Sequence, residues 1–142
     1  MDKRTRAREL AIQGLYQLDV QGADVLDHFG DFLRSNESDD SICKLAEQWT
    51  RGVYERISEC DEMISSSTIK WGLDRLCMVD KSILRLAVYQ LKFCAEIPSR
   101  VVINEAIELA KKFSAAPSSA FVNGVLDAVL KKLRLEGLEK RG

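Results

Sequence analysis

Four basic side chains lie within the first eight positions of the chain: Lys3, Arg4, Arg6 and Arg8. A helix is predicted to begin here, and cations at a helix amino terminus oppose its dipole, so helix stability does not explain them. On a helical wheel Arg6 and Gln13 fall away from the apolar stripe, and Tyr16 lies on its outer shoulder. Guanidinium groups pair with phosphates and an unstacked base lies on an aromatic ring, so this face is a candidate surface for single-stranded RNA.

A second interpretation of the same residues stays open at this point. The cations can form a capping cluster that only keeps the surface soluble, with Tyr16 packed against a neighbouring helix. Short basic stretches are a signal of low specificity, so the sequence pattern does not decide between the two interpretations.

Two later segments, 101–113 and 121–127, carry polar residues that a helix does not need. Asn104 and Glu105 lie in a predicted first turn, and Asn123 precedes Gly124 inside a predicted helix, where each costs stability relative to alanine. We favour a structural role for these residues over ligand binding, which stays open as the alternative. A glycine admits a close neighbouring helix, and Asn123 can bond a backbone group left free at the preceding break.

Phe113 and Phe121 flank that break. An aromatic residue at a helix end either packs across the break or presents a face to a nucleic-acid base. Both interpretations remain open for these two residues.

Residues suited to catalysis or metal binding are scarce. His28 is the only histidine, which excludes a site built from several histidines. No glycine-rich nucleotide motif or nucleophile elbow is present, and Glu105 and Glu108 have a spacing common on any helix. We therefore expect no enzymatic activity, no metal and no cofactor.

Composition indicates one soluble domain spanning residues 1–142. Apolar residues make up 46% of the chain, charged residues 30%, and the net charge is −1. Residues 19–62 carry four basic and twelve acidic groups, a net of −8, whereas residues 63–142 carry thirteen basic and eight acidic groups, a net of +5. This distribution permits a positive face beside a negative one, although chance clustering on solvated helices explains it equally well.

The cysteines and the amino terminus predict an intracellular protein. Neither an apolar signal core nor a run long enough to span a membrane is present, so we expect a cytoplasmic location without membrane contact. The four cysteines recur every 17 residues, at Cys43, Cys60, Cys77 and Cys94, without a C-x-x-C pair. We expect reduced thiols within a helical core.

Apolar residues recur with a helical period throughout, and no segment alternates as a strand does. We predict helices at about 4–20, 24–34 and 41–65, a short helix ending near Leu76, and helices beginning near Asp80, Ser99 and Ser119, the last ending at Leu135. Ser41, Asp80 and Ser99 are the predicted N-caps of their helices. The fifth helix is apolar on nearly every face and belongs at the centre. The expected fold is all-α, a six- or seven-helix bundle made of two packed helical sub-bundles around this buried helix.

Several segments together resemble the NusB family of bacterial transcription antitermination factors. The resemblance is carried by residues 6–9 with 13–16, 79–91, 97–98, 103–113 and 121–127, in the same order and with matching spacing. The most specific of these are Ile-Asn-Glu-Ala-Ile-Glu-Leu-Ala from Ile103 and Phe-Val-Asn-Gly-Val-Leu-Asp from Phe121. Only the helical pattern agrees across residues 20–65.

The resemblance implies a non-catalytic protein that binds the boxA element of nascent ribosomal RNA leader transcripts. Binding occurs as a heterodimer with the ribosomal protein NusE, within a complex that keeps RNA polymerase elongating past terminators. Carried over by position, the RNA-binding residues are Arg4, Arg6, Arg8, Gln13, Tyr16, Asp80, Phe113 and Phe121. The ribosomal protein would dock around the fourth to sixth helices, near Asp80, Lys81 and Arg85.

Two other functions stay open, as does the oligomeric state. One is the helical RNA-targeting module of a ribosomal RNA methyltransferase, which requires further chain beyond Gly142. The other is a protein-interaction scaffold without RNA contact, which would dock through the acidic middle helices. The sequence also leaves open whether the free protein is a monomer or a homodimer.

Overall fold

The computed structural model describes residues 2–68 and 76–137. Within these ranges lie seven α-helices and one 3₁₀-helix, without any strand. The elements are α1 (Lys3–Gln21), the 3₁₀-helix (Ala23–Asp27), α2 (Phe29–Asn36), α3 (Asp40–Glu55), α4 (Ile57–Ser67), α5 (Met78–Phe93), α6 (Ser99–Phe113) and α7 (Ser118–Leu135). The predicted all-α fold is confirmed. The short helix predicted to end near Leu76 falls on residues 69–75, which lie outside the described residues.

The chain divides into two compact units, Met1–Glu55 and Arg56–Gly142. The first contains α1, the 3₁₀-helix, α2 and α3, with α3 packed against α1 and α2. In the second, α5 packs against α4, α6 and α7, so the helix predicted to be buried lies at the centre of this unit. This division agrees with two helical sub-bundles, whereas the assignment of residues 1–142 to one domain stays a prediction.

Two predicted helices are interrupted in the structure. The predicted helix 41–65 consists of α3 and α4, which are separated at Arg56. The apolar stripe continues in phase through this position, from Trp49 and Val53 to Cys60 and Ile64, so periodicity does not reveal the break. The predicted helix 24–34 likewise consists of the 3₁₀-helix and α2.

The three predicted N-caps are wrong. Asp39, not Ser41, caps α3, because its carboxylate accepts from the Ser41 backbone N–H at 2.9 Å. At α5 the thiol of Cys77 accepts from the Asp80 backbone N–H. Helix α6 follows Pro98 without a side-chain cap, and Ser99 is its first residue.

The core of the first unit depends on a close approach at Gly14. A Cβ at this position would lie 2.5 Å from Cζ of Phe29, whose ring is buried together with Trp49. Glycine at this position therefore lets Phe29 pack directly on α1.

Three of the four cysteines are buried, as predicted, and all four are free thiols. Cys77 is the exception, because it is exposed immediately before α5. Burial raises the pKa of Cys60 to about 12. In the described ranges, no helix combines the length and apolar character that crossing a bilayer requires.

Candidate nucleic-acid interface

The beginning of α1 is held by its own cap and by the loop before α3. The Asp2 carboxylate accepts from the Arg4 backbone N–H at 3.0 Å, while the Arg4 side chain is exposed. Lys3 forms an ion pair with Asp39 at 3.1 Å. Among Lys3, Arg4, Arg6 and Arg8, the exposed Arg4 side chain is therefore the one best placed to bind an external anion such as a phosphate.

Arg6 ties α1 to the segment that follows α2. Its Nε donates to Glu37 at 3.1 Å, and one terminal nitrogen donates to the Asn36 carbonyl at 3.2 Å. The other terminal nitrogen contacts Glu9 at 3.3 Å. The guanidinium thus uses three of its five N–H donors on internal acceptors, which fixes its orientation and leaves two donors for a phosphate.

Arg8 does not lie on the exposed face of α1. Only 2% of the residue is accessible, and its guanidinium carbon lies 5.4 Å from the centre of the Trp49 ring. A cation over an aromatic face is stabilised by the ring quadrupole, and here the indole also excludes solvent. The prediction that Arg8 contacts RNA therefore fails on its burial, and Arg8 is better explained as part of the core.

The carboxylates that face these cations have lowered pKa values. The hydrogen bond from the Ser41 hydroxyl, followed by that from Lys3, lowers the pKa of Asp39 to about 2. The Asp39 backbone N–H and then Arg6 lower the pKa of Glu37. Both groups are ionised at neutral pH, so they partly neutralise the basic cluster.

Gln13 and Tyr16 lie on the solvent side of α1, as predicted. Residues three apart on a helix are neighbours, so the amide and the phenol ring share one surface. Gln13 is exposed and Tyr16 is 41% exposed, which leaves a ring face available for stacking. The alternative in which Tyr16 is packed against a neighbouring helix does not match this exposure.

Asp80 is buried and faces the connection between α6 and α7. Its two carboxylate oxygens accept separate hydrogen bonds, one from the Ser114 hydroxyl at 2.7 Å and one from the Ser118 hydroxyl at 2.9 Å. The predicted direct contacts of Asp80 with RNA and with a partner are therefore not supported, because the carboxylate is occupied and shielded.

The end of α6 presents an aromatic ring beside a cation. Phe113 is 42% exposed, and Lys112 Nζ lies 5.3 Å from the centre of its ring. Phe121, in the first turn of α7, is half-buried. Sequence reasoning missed Lys112, because a lysine in the last turn of a helix is already explained by the helix dipole. Its adjacency to Phe113 was the available signal.

Lys81 and Arg85, which were expected to bind a protein partner, differ in how far their side chains are engaged within the protein. Arg85 forms two parallel hydrogen bonds of 2.8 Å with the Asp61 carboxylate, which joins α5 to α4. Lys81 is partly exposed in the first turn of α5. Of this set, Lys81 fits a surface contact better than Arg85 does.

The packing role predicted for the Asn123–Gly124 pair is wrong. Both residues are exposed, and a Cβ at Gly124 would meet no atom within 4 Å. Asn104 is likewise exposed on α6. No close helix contact within its own unit requires a glycine at position 124.

No group of three or more potential metal ligands occurs in residues 2–68 and 76–137. His28 is exposed between the 3₁₀-helix and α2.

Comparison with known proteins identifies the family. Residues 5–131 match the model of the NusB family. The chain is 47% identical over 128 residues to the transcription antitermination protein NusB of Anaeromyxobacter dehalogenans (strain 2CP-1 / ATCC BAA-258), covering 89% of each protein. The chain belongs to the NusB family.

Solved structures of NusB proteins have the same fold. A NusB structure from T. maritima matches with a TM-score of 0.83 at 35% identity, over 96% of this chain and 98% of that one. A crystal structure of the antitermination factors NusB and NusE in complex with dsRNA also matches with a TM-score of 0.83, at 28% identity. That match covers 93% of this chain and 98% of the solved chain.

Proposed function

We propose that this chain is a non-catalytic, cytoplasmic transcription antitermination factor. In this role it binds the boxA element of ribosomal RNA leader transcripts together with NusE and supports processive elongation by RNA polymerase. Family membership and the similarity to a NusB–NusE–RNA complex support the proposal.

The observation that carries the RNA-binding role is the pairing of exposed aromatic rings with polar or basic neighbours in each unit. In the first unit the set is Arg4, Gln13 and Tyr16. In the second unit Lys112 lies beside the exposed ring of Phe113, with Phe121 half-buried in the next helix. Stacking on aromatic rings with nearby cations is how proteins bind single strands.

The small number of cations that the first unit offers to a phosphate supports a protein partner in this function. The net charge is −1, and in the first unit Lys3 is paired with Asp39 while Arg6 donates to Glu37. If NusE contacts the same RNA, the two binding events become coupled and each strengthens the other by the same factor, typically about 5–150-fold. Lys81 is the predicted partner residue that retains surface exposure.

The test is fluorescence anisotropy with labelled boxA RNA, with and without NusE. Tyr16→Ala is compared with Tyr54→Ala, because both tyrosines are 41% exposed in the same unit. Phe113→Ala is compared with Val101→Ala, since both residues are exposed on α6. Loss of a stacked base costs about 1–3 kcal/mol. We expect that loss for Tyr16 and Phe113, and affinity close to the parent for the two controls.

Other outcomes identify the competing functions. A complex with NusE that never shifts boxA RNA would indicate an interaction scaffold. Equal affinity for boxA and a scrambled RNA of the same length would remove the boxA assignment. Equal losses in the test and control variants would remove the proposed surface.

A further inference from the structure

We propose that Asp80 is a positioning residue that fixes the α6–α7 connection and thereby holds Phe113 and Lys112 ready for RNA. The inference rests on the proposed RNA-binding function. It assigns to Asp80 a role through other residues rather than a contact of its own.

The geometry places one carboxylate at both ends of the connection. Ser114 is the first residue after α6 and Ser118 is the first residue of α7. Their hydroxyls lie 3.0 Å apart, and each donates to a different oxygen of Asp80. Asp80 therefore fixes the distance between the end of one helix and the beginning of the next.

Few other contacts hold the α6–α7 connection in place. Between the two serines lie Ala115, Ala116 and Pro117, all exposed and without side-chain hydrogen-bonding groups. Their backbone contributes the bond from Ser118 N–H to the Ala115 carbonyl at 2.9 Å. Two longer contacts add to this bond: Cys77 Sγ lies 3.8 Å from Ser114 Oγ, and the Phe121 N–H donates to the Pro117 carbonyl at 3.4 Å. Small exposed side chains bury little apolar surface, so the two short bonds to the buried carboxylate are the principal side-chain anchor that the described residues provide.

Phe113 depends on this anchor because it directly precedes Ser114. Its ring is 42% exposed, so packing alone does not fix it. A side chain that must be ordered during binding reduces affinity, whereas one already held in place does not. The tether to Asp80 would thus pre-organise the ring and the adjacent Lys112.

The burial and hydrogen bonds of Asp80 suit a positioning role and argue against a direct contact with RNA. A carboxylate facing RNA would repel phosphates, but this one is buried and accepts two hydroxyl hydrogen bonds. The Cys77 thiol accepts from the Asp80 backbone N–H, which also fixes where α5 begins.

The experiment measures boxA affinity of the full chain at several salt concentrations, below the melting temperature of every variant. We expect Asp80→Ala to weaken binding about tenfold. Its salt slope should match the parent, because Asp80 itself contacts no phosphate and Lys112 can still make its contact once the connection is ordered in the complex. Asp80→Asn should restore most of the affinity, because the amide can accept from one serine and donate to the other. Asp31→Ala, which removes an exposed carboxylate from the first turn of α2, is the matched control.

A double-mutant cycle separates positioning from general destabilisation. If Asp80 acts through Phe113, the loss caused by Phe113→Ala should largely disappear in the Asp80→Ala background. The loss caused by Tyr16→Ala should persist there. Additive losses for Asp80 and Phe113, or parent-like affinity of a folded Asp80→Ala variant, would overturn the inference. An unchanged affinity of Phe113→Ala alone would instead contradict the proposed function.

Discussion

Phe29 packs so closely on Gly14 that a Cβ at position 14 would lie 2.5 Å from its Cζ and 2.7 Å from its Cε1. Thr50 lies on the same side, at 3.1 Å. Overpacking of a filled core typically costs about 1–3 kcal/mol. Alanine gains about 1 kcal/mol over glycine inside a helix such as α1, which offsets part of this cost. We therefore expect Gly14→Ala to give a net destabilisation of up to about 2 kcal/mol, measured by urea unfolding with circular dichroism. A variant more stable than the parent by the full helix gain of about 1 kcal/mol would contradict the close packing.

Gly124 should respond in the opposite direction to the same substitution. A Cβ at this position meets no atom within 4 Å, and the residue lies inside α7. Alanine is favoured over glycine in a helix interior by about 1 kcal/mol. Gly124→Ala should therefore raise the unfolding free energy, and an observed loss of stability would show that the position is enclosed.

Arg4 and Arg8 should separate RNA binding from stability. Arg4 is exposed, so Arg4→Ala should leave the fold intact and reduce the salt slope of RNA binding by about 0.7, the value for one phosphate contact on a single strand. Arg8 is buried against Trp49, so Arg8→Ala should lower the melting temperature. If Arg4→Ala instead lowered the melting temperature and Arg8→Ala changed only the salt slope, the exposed position of Arg4 and the buried position of Arg8 would both be contradicted.

Acid should weaken the first unit through Glu37 and Asp39. A carboxyl whose pKa is lower in the folded state binds fewer protons there, so its stabilisation is complete above the unfolded pKa and is lost as pH falls through the folded one. For Asp39 that window runs from 3.8 down to about 2. For Glu37 it begins at 4.5. The double variant Glu37→Gln, Asp39→Asn should be less stable at pH 7 and show a flatter fall in unfolding free energy between pH 5 and 2.

Thiol labelling should distinguish Cys77 from the other three cysteines. Cys77 is exposed, whereas burial raises the pKa of Cys60 to about 12 and also raises the pKa of Cys43. Because the thiolate is the reactive form, iodoacetamide at pH 8 should modify Cys77 first and Cys60 only on unfolding. Peptide mass spectrometry over time would report the order. Early labelling of Cys60 would contradict its burial.

Periodicity predicted the helices well wherever one helix buries a continuous stripe. The first predicted helix, 4–20, differs from α1 by one residue at each end, and α5 is central in its unit as its apolar faces indicated. The break at Arg56 escaped prediction because the stripe stays in phase across it. Periodicity reports which side is apolar, and it does not report a local change in backbone direction.

The sequence predicted poorly which charged residues are exposed and which are buried. Arg8 was assigned to the RNA surface by the family resemblance, but it packs against Trp49, which lies 41 positions later in the chain. Asp80 was predicted as an N-cap from its position before an apolar helix, and as a contact residue from the family resemblance. The two hydroxyls from which it accepts lie 34 and 38 residues away, so a local pattern does not reveal them. Such pairings arise from tertiary packing, which a helical wheel does not represent.

The ion pairs of Lys3 with Asp39 and of Arg6 with Glu37 affect how fast an RNA can find this end of the molecule. Beyond about 8–10 Å at physiological ionic strength, a close pair of opposite charges acts as a weak dipole and attracts a distant polyanion little. Residues 1–55 contain seven basic and eleven acidic groups, a net of −4, so we expect this unit to give little long-range attraction for RNA. If this protein binds RNA as proposed, electrostatic acceleration of the encounter must come from charges elsewhere, and the proposed contacts of Arg4 and Tyr16 would form only after the strand has arrived.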